Sequence, residues 1–155
     1  MIKLLKNADI YAPDPLGHKD ILIVGGKICR IQDDLSIYEN LPDVEVFDLD
    51  GKCVVPGYVD LHVHITGGGG EKGPASRVPE SQLSSFLMNG VTTVVGLLGT
   101  DGVTRSVENL VAKARALTEE GITAYALTSF YGYPPTTVTG SVEKDIMMIP
   151  PIIGV

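Results

Sequence analysis

The sequence predicts an α/β protein: the first half of a (β/α)8 TIM-like barrel, preceded by a small β segment. Three observations carry this. From residue 56 onward, strand-like and helix-like stretches alternate in the rhythm of a parallel sheet with helical crossovers. The strand-like runs are apolar at successive positions, as strands buried on both faces are. Polar clusters stand just past the C-terminal ends of these strands, at His62 to Glu71, at Thr100-Asp101 and at Ser129 to Tyr133. Barrel proteins build their sites there. Open doubly wound sheets also bind at carboxyl ends, so the clusters favour a barrel without excluding the open sheet.

Residues 1–55 read as short strands and turns. Asp20 to Val24 and Lys27 to Ile31 flank Gly25-Gly26, which is a hairpin signal. Val44 to Leu49 alternates and Asp50-Gly51 turns the chain. The character changes after Pro56, so 1–55 and 56–155 are read as separate domains. Val59 to His64 is strand-like, and 79–89 reads as a helix with Leu83, Phe86 and Leu87 on one face and Gly90 as its stop. Val91 to Leu98 is a dense β-branched strand. Residues 102–120 predict the longest helix, with Val103, Val107, Leu110, Val111, Ala114 and Leu117 in one stripe and Gly121 after it. Ile122 to Phe130 and Ile152 to Val155 read as the third and fourth strands.

Composition excludes several classes. With 44% apolar and 20% charged residues the chain has a globular balance. Its net charge of −7 is scattered, and no basic face suits a nucleic acid. No apolar run approaches the roughly 20 residues that cross a bilayer. The opening Met1 to Lys6 is too short and too charged to read as a signal peptide, and a cytoplasmic location is the expectation. Cys29 and Cys53 sit in apolar, strand-like surroundings and are expected to be buried free thiols without metal-binding spacing.

Four motifs carry chemistry. In His62-Val63-His64, residues two apart in a strand share a face, about 6.6 Å apart along the chain. Two neutral imidazoles so placed can converge on one zinc ion; they can equally be a hydrogen-bonded core pair. Asp60 at the same strand end can act as a supporting carboxylate, while His18 reads as exposed in a polar turn. In Gly67-Gly68-Gly69-Gly70-Glu71, the glycines allow close approach of a ligand to backbone N–H groups, and Glu71 can hold an ammonium group. The bland alternatives are a flexible loop and a solvated glutamate. Asp101 is expected to cap the helix after it, and Thr100 can donate to a ligand. The Ser129 to Pro135 loop presents two tyrosines, either to a developing oxyanion or to a packed aromatic cluster.

Pro56 to His64 resembles the opening strand of the amidohydrolase superfamily. The stretches HITGGGGEKGP (64–74), VVGLLGTDG (94–102), KARALTEEGITAYALTS (113–129) and TVTGSVEKDI (137–146) are similar to the isoaspartyl (β-aspartyl) dipeptidases, from about Asp20 onward. The resemblance implies a zinc-dependent barrel with a small β-sandwich drawn from both chain ends. It implies two zinc ions bridged by a hydroxide and by a carboxylated lysine expected just after Val155. It makes His62 and His64 metal ligands. Gly69, Gly70 and Glu71 become the substrate loop, with the glutamate on the free α-amino group. Thr100 becomes a substrate contact, and Tyr131 the catalytic group that polarises the scissile carbonyl. The implied reaction is hydrolysis of β-aspartyl dipeptides to aspartate and an amino acid, in a homo-oligomer. A dihydroorotase- or hydantoinase-like enzyme and a metal-free binding relative are the alternatives.

Four strands are half of a barrel, and Ile152 to Val155 stops inside one. The chain is therefore expected to continue past Val155. An intact mass more than twice that of these 155 residues, with a modified lysine immediately after Val155, is the expected outcome; the mass of the 155 residues alone would overturn it.

Overall fold

The computed structural model describes all residues, Met1–Val155, and divides them into two compact units, Met1–Pro56 and Gly57–Val155.

The first unit is a five-stranded sheet. Its strands are β1 (Ile2–Tyr11), β2 (Pro15–Val24), β3 (Lys27–Gln32), β4 (Val44–Asp48) and the two-residue β5 (Cys53–Val54). The order is β3-β2-β1-β4, with β5 also on β1. The β2–β3 hairpin turns at Gly25-Gly26. An irregularity between Leu5 and Ala8, where Asn7 takes φ 55°, exchanges the faces of β1. Leu4 thus packs with Leu22 and Leu35, while Ala8 and Ile10 pack with Ile21 in a second cluster.

This unit corrects three expectations. Both cysteines are exposed, not buried. Cys29 lies on β3, an edge strand whose six residues are all exposed, so apolar alternation there carries no burial. Cys53 lies on β5, also at a sheet margin. His18 is exposed as expected, but within β2 instead of a turn.

The second unit is a four-stranded parallel sheet: β6 (Tyr58–Val63), β7 (Val91–Gly96), β8 (Thr123–Leu127) and β9 (Ile152–Gly154). The strands stand in chain order. A doubly wound sheet would reverse that order at a switch point, so the sequential arrangement is that of a half-barrel. The connections carry α1 (Leu83–Leu87), α2 (Val107–Glu120) and α3 (Val142–Met148). Val94, Ala124, Ala126 and Ile152 from the strands pack with Leu110, Ala114 and Leu117 of α2 in one core cluster. Burial alternates along β8, and Leu61, Tyr125 and Ile153 are exposed. The helices cover one face of the sheet.

The helices are shorter than expected. Residues 79–82 are extended because the preceding glycine loop recruits this segment: Ser81 N–H donates to the Ile65 carbonyl at 3.1 Å and Val78 N–H to that of Gly68 at 2.9 Å. The predicted 102–120 helix begins only at Val107, capped by Ser106, whose Oγ accepts from Asn109 N–H at 3.2 Å. Val103 falls outside it and is 91% exposed. The helix α3 had no counterpart in the sequence reading, although Ser141 followed by Glu143 and Asp145 is a start signal.

Asp145 of α3 is fully buried. Its carboxylate accepts from the Thr128 hydroxyl (2.6 Å), the Thr139 hydroxyl (2.6 Å) and the N–H groups of Val138 and Thr139 (both 2.9 Å). Burial pushes its pKa up, but these bonds outweigh burial and hold the group below its ordinary 3.8. Folding thus favours the ionised form. The contribution is present in full above the ordinary value and is lost as pH falls through the lower native one. Asp145→Asn is expected to destabilise the fold at pH 7 by roughly 1–3 kcal/mol and to flatten its acid dependence. Urea unfolding between pH 7 and pH 2.5 measures both; an unchanged midpoint would refute the role.

Candidate active site at the carboxyl ends of the strands

The end of β6 delivers His62 and His64. Their ring centroids lie 5.6 Å apart in an edge-to-face arrangement. His64 Nδ1 is 3.2 Å from the Leu97 carbonyl oxygen. A carbonyl only accepts, so Nδ1 carries the proton and Nε2 keeps its lone pair, the tautomer a metal ligand needs. The two imidazoles, of which His64 has its tautomer set in this way, fit a zinc ion in their donor chemistry. No group of three or more His, Cys, Asp or Glu gathers anywhere in the structure, so the pair is at most part of a donor set.

Glycine is what lets the His64 ring sit here. Gly99, at φ +73°, would carry a Cβ only 2.4 Å from ring atom Cε1. On the other side the ring meets Gly68. The glycine loop is ordered by close packing. Gly69 pairs with Arg77 in an antiparallel bridge, and a Cβ at Gly69 would lie 2.5 Å from the Ser76 carbonyl oxygen. That geometry answers the expectation of a merely flexible loop.

His62, His64, Gly69, Glu71, Thr100 and Tyr131 line one cavity of about 230 Å³, with Leu97 and Gly99 in its wall. Gly70 lies outside it, in an adjoining pocket with Glu71 and Thr100. The Thr100 hydroxyl donates to Glu71 Oε1 at 2.9 Å. Glu71 is exposed, and it is held below the ordinary glutamate range first by its own backbone N–H and then by Thr100, against a smaller desolvation. It is therefore anionic at neutral pH and aimed at the same space as the imidazoles.

Tyr131 is 88% exposed at the mouth of the cavity. Its N–H donates to the Gly99 carbonyl at 3.1 Å, joining the loop after β8 to the loop after β7. Ser129 takes φ 77°, a left-handed conformation unusual for a residue with a side chain, and its Oγ accepts from Thr136 N–H at 3.2 Å. Phe130 is wedged between the loops: a Cβ at Gly102 or Gly132 would come within 2.2 Å or 2.3 Å of its ring. Asp60 is exposed, and its carboxylate accepts from His62 N–H at 3.1 Å. Tyr133 is 94% exposed and does not line the cavity.

Asp101 departs from its expected part. It does not cap α2. Its Oδ1 accepts from the N–H groups of Val103 (3.2 Å) and Thr104 (2.8 Å), closing a turn. The Thr104 side chain and backbone, with Arg77 nearby, lower its pKa to about 2. It also accepts from Arg105 at 3.1 Å. Arg105 was not singled out in the sequence, yet it is 4% exposed and bonds to the glycine loop. The only sequence signal is its place four residues after Asp101.

Comparison with known proteins bears on the fold. No protein-family model matches the chain. Over its whole length it is 46% identical to the crystal structure of a β-aspartyl dipeptidase from Fervidobacterium islandicum AW-1, covering 42% of that chain, with a TM-score of 0.94. The complex of a β-aspartyl dipeptidase from the same organism with β-Asp-Leu gives 45% identity and a TM-score of 0.92, again over the whole chain and over 40% of the other. A dihydroorotase of Macrococcus caseolyticus is 37% identical over 112 residues, which are 72% of this chain and 25% of the relative. The chain thus spans about a quarter of the length of that curated relative and about two fifths of the dipeptidase structures. The fold is that of part of an amidohydrolase barrel. Within that superfamily, the chain is similar over its whole length to β-aspartyl dipeptidases.

Proposed function

We propose that this chain supplies the amino-terminal part of the active site of an enzyme that hydrolyses β-aspartyl dipeptides to aspartate and an amino acid. The observation that carries the reading is the Glu71–Thr100 pair facing His62 and His64 across one small cavity. A dipeptide of this kind has a free ammonium group near its scissile carbonyl. Glu71 binds that ammonium, and Thr100 fixes the carboxylate that does so. Gly69 and Gly70 let the backbone lie close to the substrate, and binding at these points orients the carbonyl.

His62 and His64 would hold zinc, His64 through its Nε2. Zinc supplies Lewis acidity and lowers the pKa of bound water toward neutrality. Tyr131 donates its hydroxyl to the carbonyl oxygen as negative charge develops there. A homo-oligomer, on family resemblance, and a cytoplasmic location, on the charged opening residues, complete the reading; no helix is long and apolar enough to cross a membrane.

The second reading is opening of a cyclic amide, favoured by the dihydroorotase relatives. Dihydroorotate has no ammonium group for Glu71. Hydrolysis of β-Asp-Leu well above that of dihydroorotate is expected, and the reverse preference would overturn the dipeptidase reading.

His62→Ala is expected to lose most bound zinc and most activity while staying folded; full zinc content with near-normal turnover would refute ligation. Tyr131→Phe should lower kcat by about 10²–10³ with little change in KM, the signature of a lost oxyanion donor. A change in KM alone would make Tyr131 a binding group. Glu71→Gln should raise KM and weaken the preference for a free α-amine. A wild-type enzyme indifferent to acetylation of that amine would remove the role of Glu71.

A further inference from the structure

We infer that Arg105 is a positioning residue that holds Glu71 in place for the substrate's ammonium group. The inference rests on the proposed role of Glu71. Arg105 does not line the cavity of the two histidines and so acts through other groups.

The guanidinium is buried and its fork points three ways. Nε donates to the Thr66 carbonyl at 3.2 Å, and Nη2 to the carbonyls of Gly68 at 3.1 Å and Val78 at 3.4 Å. Thr66 and Gly68 belong to the outgoing leg of the glycine loop and Val78 to the returning leg, so one side chain clamps both legs beneath the turn that carries Glu71. Nη1 donates to Asp101 Oδ2 at 3.1 Å. Asp101 follows Thr100 directly, and the Thr100 hydroxyl reaches Glu71 at 2.9 Å. The contacts close a ring from Arg105 through Gly68 to Glu71, across to Thr100, and back through Asp101. Glu71 is thereby tethered from both sides.

The chemistry requires arginine. Only a planar fork has donors directed at several acceptors at once; a lysine ammonium on the same stem reaches one side of the ring at a time. Asp101 contributes the charge that the three carbonyls lack, so the guanidinium is neutralised on the Thr100 side and hydrogen-bonded on the loop side.

The test uses the full-length enzyme carrying Arg105→Lys, with Asp101→Asn as a milder variant that keeps the guanidinium and weakens the Thr100 arm together with the Asp101 turn and its ion pair with Arg77. Hydrogen exchange without substrate is expected to quicken at residues 66–78 in Arg105→Lys, while amides of β7 and α2 keep their protection. KM for β-Asp-Leu is expected to rise about tenfold or more with kcat nearly unchanged. The penalty for acetylating the substrate amine should shrink, and Glu71→Gln added to Arg105→Lys should cost little more. Asp101→Asn should shift KM in the same direction by less, and it carries the test if Arg105→Lys does not fold. Faster loop exchange with unchanged KM and unchanged amine preference would make Arg105 purely structural and overturn the inference. Unchanged exchange together with unchanged KM would overturn it as well. Indifference to acetylation in the wild type itself would overturn the Glu71 reading and the inference with it, a failure distinguished by appearing without any mutation.

Discussion

Backbone that leaves a sheet still needs partners for its carbonyl groups, and where it is buried water does not supply them. This constraint governs the stretch after β6. Thr66 and Gly67 are buried in irregular backbone, and the chain must return beside itself to reach α1. The return leg supplies part of the solution through the Val78 N–H bond to Gly68 and the bridge between Gly69 and Arg77. The remainder comes from a charged side chain placed where charge is costly to bury. That cost is offset because each contact of the Arg105 guanidinium falls on an oxygen, one of them anionic.

The same economy of space explains the glycines around His64. An imidazole held between Gly68 and Gly99 has its orientation set by packing before any ligand arrives, and the Leu97 carbonyl sets its tautomer. Order of this kind suits a group that must present one lone pair in one direction. Asp145 performs a similar service for the loop after β8. By binding Thr128 at one end and Val138 and Thr139 at the other, it fixes the span on which Tyr131 is displayed.

The strands of the half-barrel were legible because they are short runs rich in apolar residues bounded by turn formers, β7 densely β-branched as well, and that signal is local. So was the approach of His62 and His64, which needs only a period of two. Glu71, Thr100 and the Tyr131 loop were each candidates from their own motifs, but only resemblance to a family joined them, since spacing alone does not connect a loop after one strand to loops after two others. Arg105 and Asp145 were illegible for the same reason. The carbonyl partners of Arg105 lie 27 to 39 residues away, and Asp145 is buried by a threonine 17 residues before it. Helix starts failed where tertiary bonds claimed the backbone first. Asp101 has the composition of a cap, but its carboxylate was taken by its own turn and by Arg105, leaving Ser106 to begin α2. Cys29 failed differently: apolar alternation marks a face only where something covers it, and β3 is an edge.

The Phe130 wedge has a mechanical consequence. With its ring seated against Gly102 and Gly132 and the Tyr131 N–H bonded to Gly99, the loops that follow β7 and β8 share one joint. Neither can be lengthened, swapped or re-angled alone without unseating the other. For protein engineering, and for divergence among barrels of this kind, the two loops are then one heritable module, so a change that recuts the Thr100 side of the cavity moves the tyrosine with it.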